Sequence, residues 1–132
     1  MKHILLSVPV LTLLFLAILF LQSGLDKVFN YKANKEWIDS HFAKSPLAAV
    51  SGLLMLVITI LETASGALCA VGIVTLVGYA DPEIGLYGAQ LSALSIIALF
   101  FGQRLAQDYA GAATLTTYFL IAMAAMYSLW QL

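Results

Sequence analysis

Hydrophobic positions run almost without interruption through residues 4–29, 46–79, 83–105 and 111–132. At a rise of about 1.5 Å per residue, a helix needs roughly 20 apolar residues to cross the hydrocarbon of a bilayer, and every run is that long. The pattern predicts an all-α integral membrane protein, a four-transmembrane-helix bundle forming one domain over residues 1–132. The only long polar connection is residues 30–45. Within it Trp37, Ile38, His41 and Phe42 fall at i, i+1, i+4 and i+5, which gathers them on one helical face. A short amphipathic helix at the membrane interface is therefore expected between the first two spans, with Asn34 as its N-cap.

The second run is too long for a simple crossing. At full helical length it reaches roughly 50 Å, so it must tilt, protrude or break, with Gly66 and Gly72 as the places to bend. Pro46, after Ser45, suits the first helical position of that span, and Asp81-Pro82 marks a tight turn into the third. The first apolar run exceeds the core of a secretory signal and no A-x-A site follows, so it reads as a retained helix. The first and third connections share one side and hold Lys27, Lys32, Lys35, Lys44 and Arg104, against Lys2 on the other. The positive-inside rule then puts both connections in the cytoplasm and both termini outside, with Tyr79, Tyr87, Tyr127 and Trp130 as an outer aromatic belt.

Composition agrees with the membrane reading and removes several functions. Of 132 residues, 62% are hydrophobic and 10% charged, and the mean hydropathy is +0.97. Six basic residues and a net charge of -1 leave no basic stripe for nucleic acid. Cys69 is the sole cysteine, so neither an internal disulfide nor a CxxC dithiol exists. His3 and His41 lie at the N-terminus and in a connection, not on facing spans where they would ligate a haem, and the scattered carboxylates suggest no metal site.

Against this background three polar clusters stand out. Glu62 interrupts the second apolar run, and insertion scales put a central intramembrane charge at about 2.5 to 3.5 kcal/mol, so it needs a partner or a purpose. Either it is ion-paired or ligand-binding, or it hydrogen-bonds Gln90 or Ser92 as a protonated core acid. Gly66 stands at i+4 from it, a small residue on the same face, with Ser65 and Cys69 nearby. At the end of the first run, Gly24 and Lys27 share a face at i and i+3. Gly24 suits close helix approach, while Lys27 either follows that seam or snorkels to the headgroups beside Asp26. Residues 102–112 carry Arg104, Asp108 and Tyr109 across the third connection. Arg104 either pairs with Asp108 at i+4 or reaches inward to grip Glu62 through two hydrogen bonds.

Gly24 to Lys27 with Phe20 upstream, Glu62 and Gly66 in the second of four spans, and the 102–112 segment resemble the DoxX family of small bacterial inner-membrane proteins, over nearly the whole chain. The family pattern carries an arginine and a glycine earlier in the first helix, where this chain has Leu13 and Ala17. The resemblance implies a four-helix bundle in the bacterial inner membrane and an association with redox systems. The family takes its name from a subunit of a thiosulfate:quinone oxidoreductase, and relatives are linked to oxidative-stress and thiol-handling complexes. Carried over by position, Gly24, Lys27, Glu62, Gly66, Arg104, Asp108 and Tyr109 are the candidate ligand-binding or ion-pair residues. The leading expectation is a redox-associated subunit whose polar seam binds a quinone or anchors a catalytic partner, without a covalent cofactor, and which works with a partner protein or as a homo-oligomer, not an enzyme by itself. The alternatives are a structural accessory subunit, presenting small faces such as 110–113 and 122–125, and a proton-coupled transporter using Glu62.

Overall fold

The structure is a computed structural model that describes residues 4–132. Expectations resting on residues 1–3, including the placement of Lys2 and His3, lie outside the described residues. After a short 3-10 turn at Ile4–Leu6, helix α1 spans Val8–Phe29, α2 Tyr31–His41, α3 Ser51–Tyr79, α4 Glu83–Leu105 and α5 Tyr109–Trp130. Helices α1, α4, α5 and the stretch Ala48–Tyr79 are long and apolar enough to cross a membrane, and the described residues contain no strand. The four-span architecture and the extra short helix match the sequence expectation, with three local differences.

Asn34 does not cap α2. The helix starts one turn earlier, directly after Asn30, and the Asn34 amide donates back to Asp26 Oδ2 at 3.0 Å and to the Asn30 carbonyl at 3.0 Å. Asn30 also donates to Asp26 Oδ1 at 2.7 Å, so Asp26 ties the end of α1 to the start of α2. Pro46 is not the first residue of α3 either. It sits in a turn closed by the Ser45 hydroxyl, which accepts from Leu47 N–H at 3.1 Å, and a 3-10 turn at Ala48–Val50 precedes Ser51.

The third difference concerns the long second span, which does not break at Gly66 or Gly72: α3 is one continuous helix of 29 residues, about 44 Å long. Gly66 and Gly72 are packing positions. A Cβ at Gly66 would lie 2.7 Å from Leu21 N, and one at Gly72 would lie 2.6 Å from Gly85 N, so α1 and α4 approach α3 at backbone distance there. Gly24 meets Thr63, which sets α1 so that it ends about one turn beyond Glu62. The first third of α3 therefore overhangs α1.

Helix α2 covers that overhang. Ile38 and Phe42 bury against Met55, joined at the edge by Leu47, Leu54 and Ala106. Ser51 donates to Asp39 Oδ1 at 2.6 Å, and Lys35 holds Asp39 Oδ2 at 2.8 Å. These hydrogen bonds hold the exposed Asp39 carboxyl below the usual carboxylate range, and the same contact raises the Lys35 ammonium above its ordinary value.

In the bundle α1 packs on α3 and less extensively on α5, α3 on α4, and α4 on α5. Its core runs through Leu13, Leu16, Phe20, Cys69, Ala89, Ile96, Ala122 and Leu129. Ala112, Ala122 and Ala125 are buried, so those small residues of α5 serve internal packing. Tyr79, Tyr87, Tyr127 and Trp130 are all exposed at the end opposite α2, the grouping expected of an aromatic belt.

The α3–α4 seam changes character along its length. Away from α2 it is tight: Gly72 faces Gly85, Gly88 faces Cys69, and the Ser65 and Ser95 hydroxyls meet at 3.0 Å. Two turns further toward α2, a Cβ at Gly102 would come within 4 Å of Phe42 alone. The two helices separate there, and Phe42, just past the end of α2, fills part of the gap.

Candidate functional site

Where α3 and α4 part, the bundle encloses a cavity of about 460 Å³. Leu19 and Phe20 of α1, Val57, Ile58 and Leu61 of α3, Ile96 and Leu99 of α4, and Leu115 and Tyr118 of α5 make its walls, and Trp37, Ile38, His41 and Phe42 roof it. Val57 and Phe101 both line the cavity and are largely exposed on the outer surface, so its margin reaches the lipid-facing side between α3 and α4. The polar groups are few: Ser23, Lys27, Glu62, His41, Gln103 and the Tyr118 hydroxyl. An apolar chamber of this size with a handful of placed polar groups is the usual form of a small-molecule site.

Glu62 is ion-paired. Lys27 Nζ stands 2.8 Å from Glu62 Oε1, with the side chains 16% and 5% exposed. Lys27 also donates to Ser23 Oγ at 2.9 Å, an i, i+4 contact that fixes the ammonium along the α1–α3 seam. The neighbouring Thr63 hydroxyl is buried without a hydrogen-bond partner. Close approach at Gly24 makes the pairing possible, because a side chain there would push α1 off Thr63. Of the two readings of Lys27, the structure selects the seam.

The alternative partners of Glu62 do not meet it: Gln90 is exposed on the outside of α4, and the Ser92 hydroxyl is engaged within the α3–α4 seam. Ser92 donates to the Gly88 carbonyl at 2.7 Å and lies 3.5 Å from Cys69 Sγ. Arg104 reaches neither Glu62 nor Asp108 and instead places its guanidinium 4.8 Å from the centre of the Tyr109 ring. The expected i, i+4 relation of Arg104 and Asp108 fails because α4 stops at Leu105 and Gln107 takes φ 60°, turning Asp108 away. Asp108 caps α5 by accepting from Gly111 N–H at 2.9 Å.

That cap builds a second polar cluster. His41 Nε2 lies 2.6 Å from Gln103 Oε1 and 3.7 Å from Asp108 Oδ2. A Cβ at Gly111 would lie 2.6 Å from both Asp108 Oδ2 and Gln103 Nε2, so glycine leaves the room in which these side chains meet. The His41 ring stacks on Trp37 at 4.4 Å between centroids, with Phe42 edge-on at 5.0 Å.

Of the seven candidates, Lys27 and Glu62 come together at the cavity, while Gly24 and Gly66 pack the α1–α3 seam on either side of their pair. Asp108 joins the His41 cluster, while Arg104 and Tyr109 pair at the surface away from Glu62. His41 and Gln103 were missed. The signal for His41 is the face it shares with Trp37, Ile38 and Phe42, which roofs the chamber. Leu13 and Ala17, which replace a polar and a small residue of the family pattern, lie buried in the core, with Leu13 packed on Gly85.

A bundle of four apolar spans with a roofing amphipathic helix defines a multi-pass membrane protein. The DoxX family profile matches residues 10–80, more than half of the chain, so this protein belongs to the DoxX family. The matched region contains Gly24, Lys27, Glu62, Gly66 and the whole of α2. No curated protein and no solved structure matches the chain.

Proposed function

We propose that this DoxX-family protein is a redox-associated membrane subunit that holds a quinone in the cavity beneath α2 and acts with a partner protein. The observation that carries the reading is the chamber of about 460 Å³, apolar along its walls, polar at the roof and at the Lys27–Glu62 pair, and open toward lipid beside Val57 and Phe101. A quinone supplies two-electron, two-proton redox chemistry when bound. Its ring fits between apolar side chains, its carbonyls suit the Lys27 ammonium and the donors near His41 and Gln103, and its tail suits the gap between α3 and α4. The Lys27 ammonium has three donors and is met at short range by the Ser23 hydroxyl and by Glu62 Oε1, which leaves one to share with a ligand carbonyl.

In this reading the α2 end faces the cytoplasm of a bacterial inner membrane, in line with its five basic residues. The partner supplies electrons, because the chain carries no flavin or nucleotide fingerprint. Exchange transport through Glu62 is disfavoured: a carboxylate held 2.8 Å from an ammonium is poorly placed to trade protons for cargo. A photoreactive short-chain benzoquinone added to the protein in nanodiscs is expected to label residues 54–62 and 96–103, with labelling suppressed by excess unlabelled quinone. Labelling confined to the outer face of α5 and insensitive to competitor would sink the proposal.

A further inference from the structure

His41 belongs to two spaces at once. Its side chain lines the apolar chamber, and it also lines a separate, more polar surface cleft of about 440 Å³ with Ser40, Lys44, Ser45 and Gln107. The side chain is 16% exposed, and His41 is the one titratable residue that lines both. Chamber and cleft therefore meet at an imidazole, a side chain that holds one ring proton when neutral and two when charged.

We propose that His41 is a ligand-binding residue that takes up one proton from the aqueous cleft when a carbonyl-bearing headgroup enters the chamber. The inference rests on the quinone reading above. With the Gln103 carbonyl oxygen 2.6 Å away, Nε2 carries the hydrogen of the neutral ring, so the added proton goes to Nδ1 and makes it a donor. The balance is protein plus quinone plus one proton giving a protonated complex; no bond of the ligand breaks and no electron moves. A donor on Nδ1 matches a quinone carbonyl, whereas an unprotonated Nδ1 presents only a lone pair.

The surroundings favour such uptake. Asp108, from the start of α5, lies 3.7 Å from Nε2 and stabilises an imidazolium. Trp37, on the same helix, offers its stacked ring to the cation. Gln103 of α4 is neutral, Arg104 is occupied with Tyr109, and the Lys27 ammonium across the chamber is offset by Glu62. Lys44, along the cleft, opposes protonation from the solvent side, where water screens it.

The test is the affinity of a decyl-chain benzoquinone for the full chain in nanodiscs across about pH 5 to 8, on wild type, His41→Gln and Asp108→Asn. Wild type is expected to bind about tenfold more tightly at the acid end, the order of effect of one added charge-assisted hydrogen bond to the headgroup. His41→Gln should keep the weaker, alkaline-end affinity at every pH. Asp108→Asn, which still caps α5, should move the midpoint to lower pH. A quinol, whose hydroxyls donate, should lose the acid preference, a readout that a merely structural histidine would not produce. A flat wild-type profile, a slope retained in His41→Gln, or complete loss of binding in that variant overturns the role of His41 while the quinone reading stands. Failure of wild type to bind at any pH overturns both.

Discussion

Lys27→Met is expected to lower the stability of the bundle by about 3 to 5 kcal/mol, the range for stripping one partner from a buried ion pair. Glu62 is 5% exposed at its side chain and Lys27 is its only nearby cation among the described residues. Without the ammonium, the carboxylate must stay charged in an apolar seam or take up a proton, and neither restores the lost attraction. The reverse change, Glu62→Gln, should be milder. Lys27 stands two residues from the C-terminal end of α1 and is 16% exposed, so an orphaned ammonium has a short path to the headgroups. Equilibrium unfolding in mixed micelles of Lys27→Met, Glu62→Gln and the combined Lys27→Met/Glu62→Leu checks this. The combined variant should recover most of the loss, since removing both charges removes the penalty of either alone. Equal losses in the two single variants with no recovery in the combined one would mean the pair contributes no coupling.

The other large effect is steric. Gly72→Ala is expected to destabilise the protein by about 1 to 3 kcal/mol, the typical cost of overpacking a tight interior. The added Cβ would meet the Gly85 backbone, with the amide nitrogen 2.6 Å away, and backbone cannot turn aside as a side chain can. Gly78→Ala is the control within the same helix, because a Cβ there has nothing within 4 Å. Alanine is the better helix former by about 1 kcal/mol, so Gly78→Ala should be neutral or slightly stabilising. Thermal unfolding in one detergent compares the two; a similar shift in both would show that the α3–α4 contact at Gly72 does not set their spacing.

The elements that sequence made plain were those governed by length and apolar content. Four runs became four long helices because a bilayer-crossing helix must satisfy its backbone internally over a fixed thickness, which leaves a strong compositional trace. Gly24, Lys27, Glu62 and Gly66 were legible for a related reason: a charge in an apolar run calls for a partner, and a glycine three or four residues from a charge marks where helices approach. The choice of Lys27 over Arg104 was not legible. It depends on where α4 ends, and that is decided by the left-handed turn at Gln107, a residue with little intrinsic preference for positive φ.

The cavity itself was hidden for a similar reason. Trp37, Ile38, His41 and Phe42 carry the same spacing whether they rest on lipid or roof a chamber. What distinguishes the two is the overhang of α3, set by the register of α1 on α3 at Gly24–Thr63 and Leu21–Gly66. Relative offset between helices leaves no period in either sequence. Gln103 was equally silent, since its role follows from the room left at Gly111 on the far side of a turn.

The central claim is that the chamber beneath α2 holds a quinone. Its most direct test is quantitative mass spectrometry of small molecules retained by the protein in native nanodiscs, with Ile58→Trp, which puts an indole into the chamber, measured in parallel. The account predicts near-stoichiometric quinone on wild type, enriched well above its share of the surrounding lipid, and loss of that enrichment in a folded Ile58→Trp. Quinone present only at its bulk-lipid proportion, and the same in both proteins, would contradict it.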